Sequence, residues 1–247
     1  MLPISIGPRI IYFHIPKCAG STVFKHIRGK VPLGKLDKFL KRKRHTIVHT
    51  EYHHARIDAA ISEAKKSKFI SGHFDTPTLS EIGRKPDDFV FTFLRAPKER
   101  LRSAYRYFVS EQGWRWMDLP GSWTDYSYED FLRIETRSMV ALTDNAMVRH
   151  LGGDLLETVE TESGWREWTD KAISELAEMD FVGFQNNFYE DMNILCRRLS
   201  IAPYFGLKAN VSENRGEFPI SDFAADIERR KTQWDEIIYR KSLELVR

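Results

Sequence analysis

Apolar and polar positions along the chain fall into two alternating patterns. Four short runs dominated by β-branched and aromatic residues, RIIYFHI (9–15), KFISG (68–72), DFVFTFLR (88–95) and FVGFQ (181–185), have the length and composition of buried strands. Around them the spacing turns helical: STVFKHIRG follows the first run, HARIDAAISEAKK precedes the second, PKERLRSAYRYFVSE follows the third and NNFYEDMNILCRRLS the fourth. In the last, Phe188, Met192, Leu195 and Leu199 make one apolar stripe. Strand and helix in repetition predict an α/β fold with a central parallel sheet covered on both faces. Such sheets take ligands at the carboxyl ends of their strands.

The first strand leaves the sheet through PKCAGST (16–22). The small residues Ala19 and Gly20 let the backbone wrap closely. The amides that open the following helix at Ser21 and Thr22 have no intrahelical acceptor, a ready place for an anion. Lys17 brings positive charge to the same point, and the two hydroxyls add donors. A phosphate-like group fits. The spacing differs from the GxxxxGK[ST] loop, because Lys17 precedes the turn. At the end of the third strand Arg95 is followed by Pro97, suited to a first helical position. Ser103 comes about two turns later, on the same sheet edge as Lys17.

Composition changes this picture little. With 247 residues, 42% of them hydrophobic, the chain is long enough for one domain spanning 1–247. No apolar run approaches the roughly 20 residues that cross a bilayer. No secretory pattern opens the chain, and the expected location is cytoplasmic. Cys18 and Cys196 belong to no metal or disulfide pattern, so no metal is expected. The net charge of +3 hides a basic cluster, GKLDKFLKRKRH (34–45), read either as a solvated helix face or as a patch for an anionic ligand. The stretch QGWRWMDLPGSWTDYSYEDF (112–131) reads as an aromatic-rich insertion. Its Trp114, Trp116, Trp123, Tyr126 and Tyr128 either line an acceptor cleft or form core.

HIPKCAGST and LRAPKERLRSAYRYF resemble the 5'-phosphosulfate loop and the 3'-phosphate motif of sulfotransferases that use 3'-phosphoadenosine 5'-phosphosulfate (PAPS). The first is similar to the HIPKTGGTS form of the Golgi carbohydrate sulfotransferases, of the heparan sulfate 2-O-sulfotransferase kind. ISGHF (70–74), DNAMVRHLGG (144–153), FVGFQNNFYEDMNILCRRL (181–199) and LKANVSENR (207–215) resemble further blocks of that family in order. The resemblance implies a three-layer α/β/α, P-loop-like fold and sulfuryl transfer from PAPS to a hydroxyl acceptor, possibly an anionic or neutral glycan, leaving 3'-phosphoadenosine 5'-phosphate (PAP). It further implies that Pro16, Lys17, Cys18, Ala19, Gly20, Ser21 and Thr22 form the 5' loop, with Lys17 on the bridging oxygen. Arg95 and Ser103 would hold the 3'-phosphate, and His73 would be the catalytic base.

Two positions depart from the family pattern. Ala19 stands where glycine is frequent, a change compatible with the turn if φ there is negative. FVGFQNN lacks an acidic residue after its strand. His14 either orients Lys17 or packs, and His53 and His54 read as surface or helix-start residues. The other functional classes are a P-loop phosphotransferase, which needs a magnesium carboxylate, and a non-catalytic binder of anionic polymers. Nucleic acid is not an expected partner.

Overall fold

The computed structural model describes residues 9–31, 43–48, 57–110, 122, 125–155, 157–206 and 218–245. Five parallel strands form one sheet: β1 (Ile10–Phe13), β2 (Lys43–Ile47), β3 (Ser67–Gly72), β4 (Phe89–Leu94) and β5 (Phe181–Phe184), in the order β2-β3-β1-β4-β5. The middle strand β1 pairs with β3 and β4 in a register that sets Phe13 beside Gly72 and Thr92. The residues following β1, β3 and β4 therefore emerge side by side.

Alternation along β1 divides the core. Ile11 and Phe13 point to one face, where they meet α2 (Ile57–Ala64), α3 (Thr76–Ile82), α7 (Ala146–Gly152), α8 (Glu162–Ala177) and α11 (Gln233–Leu245). Ile10 and Tyr12 point to the other, against α1 (Gly20–Ile27) and α9 (Phe188–Arg198). From β1 the chain moves towards β2 across the α1 face, and it moves back towards β5 across the opposite face. Each crossover therefore has the same hand, as right-handed parallel connections require. The result is the α/β/α arrangement that the alternating pattern predicted. A third apolar cluster joins α4 (Pro97–Phe108), α5 (Tyr128–Arg133), α6 (Arg137–Thr143) and α10 (Asp222–Arg230) beside the sheet.

The basic cluster needs correction as far as it is described. Residues 34–42 lie outside the described residues, but Lys43, Arg44 and His45 belong to the edge strand β2 and not to a helix face. Thr46 and Val48 are buried while His45 and Ile47, on the other side of the strand, are exposed with Arg44. No described helix is long and apolar enough to cross a membrane.

Candidate active site

The loop after β1 is built on two left-handed residues. The amide of His14 still donates to Gly72 O at 3.2 Å, keeping β1 paired with β3 up to the turn. Lys17 then takes φ 68° and Ala19 φ 66°. Ala19 is the N-cap of α1 and offers no side-chain cap. The expected negative φ at Ala19 is thus corrected: the turn into α1 is made by a left-handed residue, a conformation that costs an L residue about 1–2 kcal/mol. Its backbone consequence is direct. Thr22 and Val23 donate to Ala19 O at 3.1 and 3.3 Å, whereas the amides of Lys17, Ala19, Gly20 and Ser21 donate to no described residue. A run of unanswered N–H groups around left-handed residues is an anion-binding concavity.

Gly20 is required by a neighbour. A Cβ there would fall 1.6 Å from His14 Nε2, so the imidazole lies against bare backbone. The same ring stacks on Tyr12 with centroids 5.2 Å apart and meets His73 edge-on at 4.4 Å. Of the two readings of His14, packing is the one these contacts describe. The glycine before His73 likewise has a structural cause. A Cβ on Gly72 would fall 1.6 Å from Val48 O, so the glycine admits the backbone after β2.

Positive charge gathers around this loop. Lys17 Nζ sits 4.0 Å from the centroid of the Tyr107 ring on α4. Burial, then Arg95 and Arg100, pull its pKa down to about 8. His73 is lowered to about 3, first by burial and then by Lys17, and is neutral near pH 7. Arg95 makes a long 3.5 Å contact to Lys17 O and approaches Glu99 at 3.9 Å, while its buried Nε has no partner among the described residues. Arg100 is fully buried, donates to Leu142 O at 2.9 Å and faces Asp235 at 3.8 Å. Burial pushes the Cys18 thiol up to about 12, which leaves it an uncharged packing group.

The structure therefore brings Lys17 into electrostatic reach of both His73 and Arg95. Pro16, Cys18, Gly20 and Thr22 are buried beneath the loop, and Ser21 is exposed on α1. Ser103 is half-buried on α4, where its hydroxyl meets no described partner. His53, His54, Trp114, Trp116, Trp123 and residues 207–215 lie outside the described residues. Tyr126 and Tyr128 are core: Tyr128 is buried and donates to Glu228 at 2.8 Å.

Three residues escaped sequence reading. Tyr107 could have been found, because it lies one helical turn beyond Ser103 on the same face of α4. Arg100 and Asp235 carry no such signal, since their pairing joins residues far apart in the chain. A family model described as "Sulfotransferase family" matches residues 4–234. No curated protein matches the chain.

Proposed function

The chain belongs to the sulfotransferase family, and from that membership we propose that it moves a sulfuryl group from PAPS to a hydroxyl of a carbohydrate acceptor. The observation that carries this reading is the set of unanswered amides at Lys17, Ala19, Gly20 and Ser21 beside Lys17, Arg95 and Arg100. The nearby carboxylates, Glu99 and Asp235, face Arg95 and Arg100. A buried cation cluster with an unpartnered guanidinium Nε suits a ligand carrying several phosphate-type charges.

In this reading Gly20, Ser21 and Thr22 hold the 5'-phosphate on a backbone shaped by Pro16, Cys18 and Ala19. Arg95 and Ser103 hold the 3'-phosphate. When bound, PAPS supplies a sulfur already joined to a leaving phosphate oxygen. Lys17 stabilises negative charge on that oxygen as its bond to sulfur breaks and the bond from the acceptor oxygen forms. His73 takes the proton of the attacking hydroxyl. Its depressed pKa keeps the imidazole unprotonated, and the donor's negative charge offsets the Lys17 repulsion that weakens it as a base. Positioning and charge stabilisation supply the acceleration, as in phosphoryl transfer. Exposed Arg44 and His45 on β2 support an anionic glycan as acceptor.

The deciding experiment is calorimetric binding of PAP, AMP and ATP to the full chain. A marked preference for PAP is expected, since AMP and ATP both lack the 3'-phosphate. Equal affinity for all three would overturn the proposal.

A further inference from the structure

The Lys17 ammonium lies against an aromatic face. It makes no hydrogen bond to a described residue, and its one close contact of opposite character is the Tyr107 ring at 4.0 Å. Among the described residues, the charged groups nearest it do not favour a cation. Arg95 at the end of β4 and Arg100 on α4 repel it, and His73 at the end of β3 is neutral. Cys18, next to it in its own loop, is held as an uncharged thiol by burial. The carboxylates of Glu99 and Asp235 are turned to Arg95 and Arg100. Left to burial and repulsion, Lys17 would tend to lose its proton or swing outward.

The face of an aromatic ring attracts a cation through its quadrupole, more strongly where water is excluded. Tyr107 is itself half-buried, and burial raises its own pKa, so it stays an uncharged ring. It is fixed to the helix that begins two residues after Arg95. We propose that Tyr107 is a positioning residue whose ring face holds the Lys17 ammonium ordered and charged before the donor enters. This assignment rests on Lys17 serving the donor as described above, while the contact itself stands independently of that reading. Tyr107 touches no reacting atom. It acts by sparing Lys17 the loss of its proton and the search for its rotamer at the moment of transfer.

The test is competitive acetylation of Lys17 by acetic anhydride across the pH range, read by mass spectrometry of the Lys17 peptide. It is run on the wild type, Tyr107→Phe and Tyr107→Leu, with PAPS turnover measured in parallel. Phenylalanine keeps the ring face and should keep the wild-type midpoint. Leucine should lower the midpoint by about half to one pH unit, the size of a partly desolvated cation–π contact. It should also cut kcat about 3- to 10-fold with KM for PAPS nearly unchanged. If leucine does not fold, Tyr107→Met takes its place with the same expectation. A wild-type Lys17 midpoint in the leucine or methionine variant would overturn the assignment, as would a phenylalanine variant shifted as far as leucine. Because acetylation needs no substrate, this result is separable from failure of the sulfotransferase reading, which would appear as absent wild-type turnover.

Discussion

The starts of α1 and α7 share a backbone and differ in what answers it. Each helix is entered through a left-handed residue, Ala19 at φ 66° and Asn145 at φ 45°, and neither residue caps its own helix through its side chain. At α7 the first-turn amides are met from within: Met147 and Val148 donate to the Asp235 carboxylate at 3.2 and 2.9 Å. The Asn145 side chain in turn accepts from the amide of Trp234 at 2.9 Å, tying α7 to the start of α11. At α1 no described side chain plays the part of Asp235. At α7 the anion is part of the chain and the turn is a joint; in the proposed function the anion at α1 comes from solution, and the same kind of turn serves as a site.

Breaking the joint should have the largest effect. Asp235→Ala leaves two amides without an acceptor and the buried Arg100 without its counter-charge, so a loss of about 3 kcal/mol or more in urea unfolding is expected. A loss under about 1 kcal/mol would mean that the two helix starts are not opposites after all. Breaking the site should instead spare stability. Lys17→Ala should lower kcat by roughly 10²–10³-fold, the loss typical of one transition-state donor, while PAP affinity and melting temperature move much less. Loss confined to PAP affinity would reduce Lys17 to a binding group.

Acid sharpens the contrast further. His73 has a folded pKa near 3 against about 6.5 unfolded, so between those values the unfolded chain binds the extra proton. Its contribution to stability is present above pH 6.5 and lost as pH falls towards 3. Burial raises Asp235 to about 6, which acts oppositely: between about 4 and 6 the folded chain holds the extra proton, and stability falls as pH rises. Chemical denaturation of His73→Asn at pH 4 and pH 7 should show a smaller acid loss than the wild type. Equal losses would remove His73 from the buried, depressed state described here. The smallest effect concerns backbone strain. Ala19→Gly should stabilise the chain by up to about 1 kcal/mol, since glycine adopts φ 66° without a Cβ penalty but gains unfolded-state entropy. A destabilised variant would show that the methyl packs usefully.

Sequence reading reached most of the sheet because β1, β3, β4 and β5 are apolar on both faces. Their predicted spans, 9–15, 68–72, 88–95 and 181–185, exceed or miss the observed strands by no more than a few residues at each end. It missed β2 because KRHTI presents charge where the other strands present apolar side chains, as an edge strand does. In the candidate site, local chemistry was legible: Lys17, Arg95 and His73 converge because the loops that follow β1, β3 and β4 must lie together. Conformation was not. Nothing in CAGST requires alanine to be left-handed, since that follows from how α1 must leave the sheet. The unassigned helices after residue 128 carry Asp235 and Glu228, whose roles depend on partners about a hundred residues away.

Those distant partners make assembly of the site a late event in the life of the chain. The helix α4, which carries Ser103 and Tyr107, is gripped through Arg100 by Asp235 and through Arg102 by Glu228, whose carboxylate takes the guanidinium at 2.8 and 3.0 Å. During synthesis the strands β1, β3 and β4 leave the ribosome well before either carboxylate exists. The parallel sheet can gather early, but its long-range clasp closes only when α10 and α11 arrive. A chain stopped before Asp222 should therefore expose α4 to limited proteolysis that the full chain resists. An equally resistant shortened chain would show that α4 holds its place without the clasp. In the proposed function, competence to bind a donor is thus written into the order of translation as much as into the site itself.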